Sequence, residues 1–286
     1  MREGEASRTS IKVAARRAAH QLLDTPRVFD DPFALRILPP HVAEDLERDP
    51  QKYDRSTIGR YLRAFLVVRS RFAEDELANA VARGVTQYVL LGAGFDTFSL
   101  RNPFDGLTVF ELDHPATQRA KRARLASASL EPKPRTVFAP VDLATTSLDD
   151  ALQRAGFDRT QRSLFSWLGV SMYLELEAIR ATLRTIAALA DATVVFDYAI
   201  KPAWYDLPSR TILGVMAKRV AAVGEPWVSF FRPDVMKREL ASCGFRTIRD
   251  VGADELNARY LAGSRLRIGK LARMAVASTS PLTGGG

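Results

Sequence analysis

The spacing of apolar residues changes once along this chain, after residue 84. Before that point apolar residues recur at the period of a helix, first in residues 11–24 and again in residues 60–82, where Gly84 ends the segment. A short helix is predicted between these two segments, and the pair Pro39-Pro40 is predicted to end it. This pattern predicts an N-terminal helical cap formed by residues 1–84.

After residue 84, apolar runs of strand length alternate with helical segments. Strands are predicted at residues 88–91, 108–113, 136–141, 164–168, 192–198 and 246–251. Helices are predicted at residues 98–101 (a helix or a turn), 116–127, 148–155, 175–190 and 232–243. Strands that alternate with helices favour a doubly wound α/β fold with a mostly parallel sheet.

This α/β core is predicted to extend over residues 85–273. A helical insert is expected near residues 202–231 within it. The segment 274–286, which ends in three glycines, is predicted to be a flexible tail.

The composition limits the classes of function. The 286 residues carry a formal net charge of +8 and a pI near 9.8, and 47% of them are apolar. The basic side chains are spread out, without an aromatic stacking surface for nucleic acid, so we interpret them as solvated helix faces or as a field that steers an acidic substrate. The single cysteine, polar N-terminus and lack of a long apolar run predict a cytoplasmic protein that binds neither nucleic acid nor membrane.

Two predicted strands end in residues that suit the binding of a nucleotide-like ligand. The first runs into Gly92-Ala93-Gly94, where the missing Cβ atoms allow a ligand to approach the backbone. Two carboxylates follow on the next strand, Glu111 at 17 and Asp113 at 19 positions after Gly94, close to the spacing of about 20 expected for a ribose-binding acid. Asp113 is favoured because it lies nearer the strand end, and Glu111 stays the alternative.

Further residues restrict the class of ligand that the predicted site can bind. A dinucleotide fingerprint would place glycine or alanine where Thr97 stands, so a nicotinamide-dependent dehydrogenase is disfavoured. Asp142 ends the third strand and can accept a hydrogen bond from an exocyclic amine, while Leu143 can pack on a flat base. Asp96 is expected to brace the glycine turn.

Taken in order, these residues resemble the leucine carboxyl methyltransferase-like family of class I methyltransferases. The resemblance covers about residues 7–270 and rests on segments 91–97, 110–115, 141–143 and 169–174, with shorter matches at 17–21, 31–33, 68–72, 224–226 and 259–260. It implies a seven-stranded Rossmann-like sheet and S-adenosylmethionine as the cofactor. The cofactor-binding residues that it implies are Arg69, Gly92, Ala93, Gly94, Asp113, His114, Asp142, Leu143 and Gly169.

The resemblance also distributes roles among these residues. Arg69 would meet the methionine carboxylate of the cofactor in a charge-assisted pair. Gly92 and Gly94 would pass beneath the methionine part. Asp113 would hold the ribose, and Asp142 with the neighbouring leucine would hold the adenine.

The sequence defines the residues that would bind the methyl acceptor less closely than those for the cofactor. By the resemblance Tyr173 would contact the acceptor, and His20 is a candidate general base if the acceptor is a hydroxyl. Arg17 and Arg232 could bind an acidic acceptor. Eukaryotic protein-directed relatives carry a glutamate where this chain has Leu168, and that departure favours the bacterial small-molecule branch of the family.

The sequence therefore predicts an S-adenosylmethionine-dependent O-methyltransferase without a metal. Its acceptor would be a small, acidic metabolite with a carboxyl or hydroxyl group, in polyketide-type secondary metabolism. The alternatives are a methyltransferase for protein C-terminal carboxylates, one for nucleic acids, and a protein that binds the cofactor without transfer. An Asn/Asp-Pro-Pro-aromatic loop after the fourth strand would mark a nucleic-acid enzyme, and it is absent. The sequence predicts neither the acceptor's identity nor the oligomeric state.

Overall fold

The computed structural model describes residues 8–52, 54–143, 145–200, 227–270 and 272–281. Its centre is a seven-stranded sheet made of β1 Gln87–Leu91, β2 Thr108–Asp113, β3 Thr136–Pro140, β4 Ser163–Trp167, β5 Ala192–Ala199, β6 Thr247–Val251 and β7 Ala272–Ser278. The strands lie in the order β3-β2-β1-β4-β5-β7-β6. All run parallel except β7, which is antiparallel to both its neighbours. This is the doubly wound, mostly parallel sheet that the sequence predicts.

The helices that the structure describes are α1 Arg8–Leu23, α2 Pro40–Arg48, α3 Thr57–Ala82, α4 Phe98–Arg101, α5 Pro115–Ser127, α6 Leu148–Arg154, α7 Leu176–Ala187, α8 Pro233–Cys243 and α9 Ala253–Tyr260. None of them combines the length and the apolarity that a membrane crossing requires. The prediction that Pro39-Pro40 ends a helix is wrong, because Pro40 opens α2. Proline suits the first turn of a helix, where its missing N–H is not needed.

Helix α3 of the predicted cap packs directly against the sheet. Its side chains Phe65, Val68 and Phe72 pack in the same buried cluster as Tyr88 and Leu90 of β1. Helix α3 is therefore one of the helices that cover the sheet. A second cluster joins α1 and α2 to residues that follow the first and second strands.

The predicted tail of residues 274–286 is corrected at its start. Residues 272–278 form β7, which lies between β5 and β6, and Met274 to Ala277 are completely buried. Residues 274–277 of this strand are all apolar and do not alternate with polar residues, because a strand inside the sheet is covered on both faces. The predicted helical insert near residues 202–231 lies outside the described residues, apart from residues 227–231.

The strand order places the candidate site. Successive connections leave β1 toward β2 on one side and reach β4 on the other, so the order of the strands reverses between β1 and β4. The loops that follow these strands diverge at their carboxyl ends and leave a crevice there. Ligands of doubly wound sheets bind in this crevice.

Candidate cofactor site

The turn after β1 exposes backbone at the crevice. The N–H groups of Gly92 and Ala93 donate to the carbonyl of Leu112 at 2.8 and 3.2 Å, which fixes the turn against β2. Gly92 is exposed and has a φ of +71°. A Cβ atom there would lie 2.6 Å from Cγ2 of Val170, in the loop after β4. Only glycine fits this close approach between two crevice loops.

Asp113 stands at the carboxyl end of β2 and is tied to that turn. The N–H of Gly94 donates to its Oδ2, and the N–H of His114 donates to Oδ1 at 2.6 Å. Burial raises the pKa of the Asp113 carboxyl above its ordinary value, although these two N–H groups oppose the rise. The side chain is only half-buried. It is thus oriented by the backbone and still accessible, as an acceptor for ribose hydroxyl groups must be.

Glu111, the alternative ribose acid, has another partner. Its side chain is completely buried, and Oε2 lies 2.5 Å from Nζ of Lys121, which is also buried. The nitrogen comes from α5, beneath the crevice. The structure therefore separates the two carboxylates: Asp113 faces the crevice, whereas Glu111 forms an internal ion pair.

The segment after β3 lies beside Asp113. The N–H of Val141 donates to the carbonyl of Asp113 at 2.8 Å, which brings the half-buried Asp142 and Leu143 to the same edge of the sheet. His114 caps α5, and its Nδ1 accepts from the N–H of Ala116 at 3.3 Å. The predicted ribose and adenine residues are thus neighbours. No group of three or more potential metal ligands occurs among the described residues.

Arg69 reaches the crevice from α3. Its Nη1 donates to Oδ2 of Asp197 at 2.9 Å, and only 9% of its side chain is exposed. The N–H of Gly169 donates to the other oxygen of Asp197 at 2.5 Å. Sequence reasoning missed Asp197, although it is the one charged residue within β5, and that was the available signal.

Arg17 does not face an acceptor, contrary to the sequence prediction. Its guanidinium is buried and donates to Oδ2 of Asp96 at 3.1 Å and to the carbonyl of Phe95 at 2.8 Å. Burial alone would raise the pKa of Asp96, but Arg17 and Arg101 outweigh it and hold that pKa below its ordinary value. Since Asp96 also accepts from the N–H of Phe98 at 2.7 Å, it braces the glycine turn in the way predicted.

His20 is not placed to act as a general base, so that prediction is corrected. The ring is completely buried, with Nδ1 2.6 Å from Oδ2 of Asp24. Nε2 accepts from the N–H groups of Val28 and Phe29 at 3.2 and 3.3 Å. Both ring nitrogens are used inside the N-terminal region, because a buried imidazole needs a partner for each of them.

The two remaining acceptor-side candidates lie in different surroundings. Tyr173 is half-buried in a 3₁₀ turn, Ser171–Tyr173, directly after the loop of Gly169. The N–H groups of Val228 and Ser229 donate to the carbonyl of Met172 in this turn, at 2.8 and 3.2 Å. Arg232 precedes α8 and is exposed, with Nε 3.0 Å from Oδ1 of Asp234. Tyr173 therefore lies near the crevice, whereas Arg232 lies on a surface helix end.

The chain is similar to known methyltransferases. The family model described as leucine carboxyl methyltransferase matches residues 10–187. YktD from Bacillus subtilis is 32% identical over 288 residues, which cover 93% of this chain and 94% of YktD. The chain belongs to the leucine carboxyl methyltransferase family. The family resemblance of the sequence is thereby confirmed.

Two further comparisons agree with this family membership. Rv3399 from Mycobacterium tuberculosis is 31% identical over 190 residues, or 64% of this chain, and the match spans about half of Rv3399, 54% of its length. Rv3399 and YktD both carry the name "Putative S-adenosyl-L-methionine-dependent methyltransferase". A DUF574 family protein from Streptomyces avermitilis superposes with a TM-score of 0.60 at 14% identity, covering 96% of this chain and 98% of that one. At this identity the likeness concerns the fold alone, and it confirms the predicted fold class.

Proposed function

We propose that this chain is an O-methyltransferase that transfers the methyl group of S-adenosyl-L-methionine to a small, acidic metabolite. Membership of the family makes it a methyltransferase, and S-adenosyl-L-methionine is its cofactor. The observation that carries the proposal is Asp113, half-buried at the carboxyl end of β2 and held beside the glycine turn by the N–H of Gly94. Such a carboxylate beside a bare glycine turn fits the ribose end of this cofactor.

The residues at the crevice fit the other parts of the cofactor as well. Asp142 and Leu143 would hold the adenine, and Arg69 would pair with the methionine carboxylate. The methionine chain would lie along the exposed backbone of Gly92. When bound, the cofactor supplies an electrophilic methyl group for an in-line displacement. The protein then has to place the acceptor oxygen in line and exclude water.

The nature of the acceptor rests on two observations. The chain carries a net charge of +8, which favours the approach of anions. His20, the candidate base, has both ring nitrogens engaged away from the crevice. A carboxylate acceptor is already ionised at neutral pH and needs only positioning, whereas an alcohol or phenol would need a base. We therefore favour a carboxylate on a small molecule, of the kind made in secondary metabolism, over a hydroxyl.

Binding and product analysis test the proposal in turn. Isothermal titration with S-adenosylhomocysteine should show one site, and no binding at millimolar ligand would overturn it. The protein is then incubated with cofactor labelled in the methyl group and with a pool of small carboxylic acids and phenols. Label that is extracted in small products and released by mild base supports a carboxyl methyl ester. Base-stable label in small products would point to a hydroxyl acceptor, and label on a protein band would refute the small-molecule acceptor.

A further inference from the structure

Asp197 sits where three parts of the chain meet. Its two carboxylate oxygens are divided, Oδ2 toward Nη1 of Arg69 at 2.9 Å and Oδ1 toward the N–H of Gly169 at 2.5 Å. Its own carbonyl accepts from the hydroxyl of Ser171 at 2.6 Å. Asp197 and Ser171 are completely buried. One carboxylate thus links α3, the loop after β4 and the end of β5.

Gly169 shows how closely this arrangement is fitted. Its φ is +72°, and a Cβ atom there would lie 2.8 Å from both Nη1 and Nη2 of Arg69. The guanidinium therefore packs directly on the Cα of Gly169. Cζ of Arg69 lies 5.9 Å from the centre of the Phe65 ring. The side chain of Arg69 is thus held by the backbone of Gly169, the Phe65 ring and the carboxylate described above.

The same loop joins this cluster to the glycine turn. Val170 follows Gly169 directly, and its Cγ2 fills the space that a side chain at Gly92 would occupy. The guanidinium of Arg69 and the bare backbone of Gly92 are thus brought together by one short loop. The methionine part of the cofactor would lie over this turn.

We propose that Asp197 is a positioning residue, which acts through Arg69 on the recognition of the cofactor's methionine carboxylate. This inference rests on the proposed function. A guanidinium is planar and carries five N–H groups, so a bond from Nη1 fixes the direction of all of them. Asp197 prevents Arg69 from turning away, and the remaining donors are pre-oriented for a second carboxylate.

The chemistry of an amide explains which variant is informative. Asparagine has nearly the shape of aspartate, but it offers one acceptor oxygen and a donating NH2 group. In Asp197→Asn that NH2 group must face one of two donors, Arg69 or the N–H of Gly169. In either orientation the negative charge is lost and with it the charge-assisted pair, so Arg69 should be held less firmly while the strand that carries residue 197 keeps its packing.

A pair of ligands that differ only in the carboxylate tests the proposal. Titrations with S-adenosylmethionine and with decarboxylated S-adenosylmethionine are compared for the wild type and Asp197→Asn. We expect affinity for the first to fall by about tenfold or more and affinity for the second to change by less than about twofold. Gly169→Ala should give the same selective loss with Asp197 intact, because its Cβ would displace the guanidinium.

Asp250→Asn is the matched control. Asp250 is another buried aspartate of the sheet, bonded to Nε of Arg273 at 2.6 Å and to the hydroxyl of Tyr198 at 2.8 Å. It should lower the thermal midpoint without changing the ratio of the two affinities. Equal losses for both ligands in Asp197→Asn, or no loss for either, would reduce Asp197 to a structural residue. If the wild type binds neither ligand, the proposed function itself fails.

Discussion

Replacing Lys121 by methionine should test the internal ion pair with Glu111. The side chains are 1% and 0% exposed and their charged atoms lie 2.5 Å apart. Methionine keeps much of the length of the lysine stem and removes only the charge and its hydrogen bonds. The variant leaves Glu111 in the core with no cation opposite it.

The expected loss of unfolding free energy follows from the complete burial of the Glu111–Lys121 pair. Removing one partner of a buried pair typically costs about 3–5 kcal/mol, because the charge left behind stays desolvated. Glu111→Gln combined with Lys121→Met removes both charges and should recover more than about half of that loss. Lys237→Met, at an exposed position on α8, is the matched control and should change stability by less than about 0.5 kcal/mol.

The cost should also depend on pH. Burial raises the pKa of Glu111, and Lys121 partly lowers it again. A carboxyl whose folded-state pKa exceeds its unfolded value of about 4.3 contributes stability below that value, and this contribution is lost as pH rises through the folded-state pKa. Lys121→Met removes the opposing cation and raises the pKa further. Its destabilisation should therefore be larger near pH 8 than near pH 5.

Urea unfolding followed by circular dichroism, at several pH values, measures these differences. The three variants and the wild type are compared by their extrapolated free energies of unfolding. A loss below about 1 kcal/mol for Lys121→Met would show that the pair is not needed. A loss that is independent of pH would show that Glu111 is not the charge left unpaired.

Two other predictions concern the site and the sheet. Asp113→Ala should weaken S-adenosylhomocysteine binding in calorimetry by about a hundredfold or more, because two hydrogen bonds to a carboxylate are lost. Glu111→Gln combined with Lys121→Met, which leaves no buried charge of the pair unpaired, should not change that affinity, and the reverse result would move the ribose role to Glu111. A chain that ends at residue 270 lacks β7 and should show no cooperative thermal transition, whereas one that ends at Pro281 should unfold cooperatively. Equal transitions in the two truncations would contradict the placement of β7.

The site residues that follow strands were predictable from the sequence. A glycine turn and a carboxylate at fixed distance are local features, because each is set by the end of its own strand. Asp96 was predictable for the same reason, since it caps a turn two residues away. The role of Arg17 was not, because its partners Asp96 and Phe95 lie almost 80 positions away along the chain. The partners of His20 lie within nine residues, but only the folded loop after α1 brings the N–H groups of Val28 and Phe29 to its ring.

The sequence by itself determined the alternation of strands and helices, the glycine turn after β1 and the position of Asp113 at the end of β2. These follow from periodicity and from residues that end a strand. The tertiary structure decided that β7 fills the sheet between β5 and β6, since apolar residues buried on both faces leave no alternation of apolar and polar positions. It also decided that Arg69 pairs with Asp197, 128 positions away along the chain. A buried guanidinium needs a carboxylate partner, and only the packing of α3 against the sheet determines which carboxylate lies opposite it.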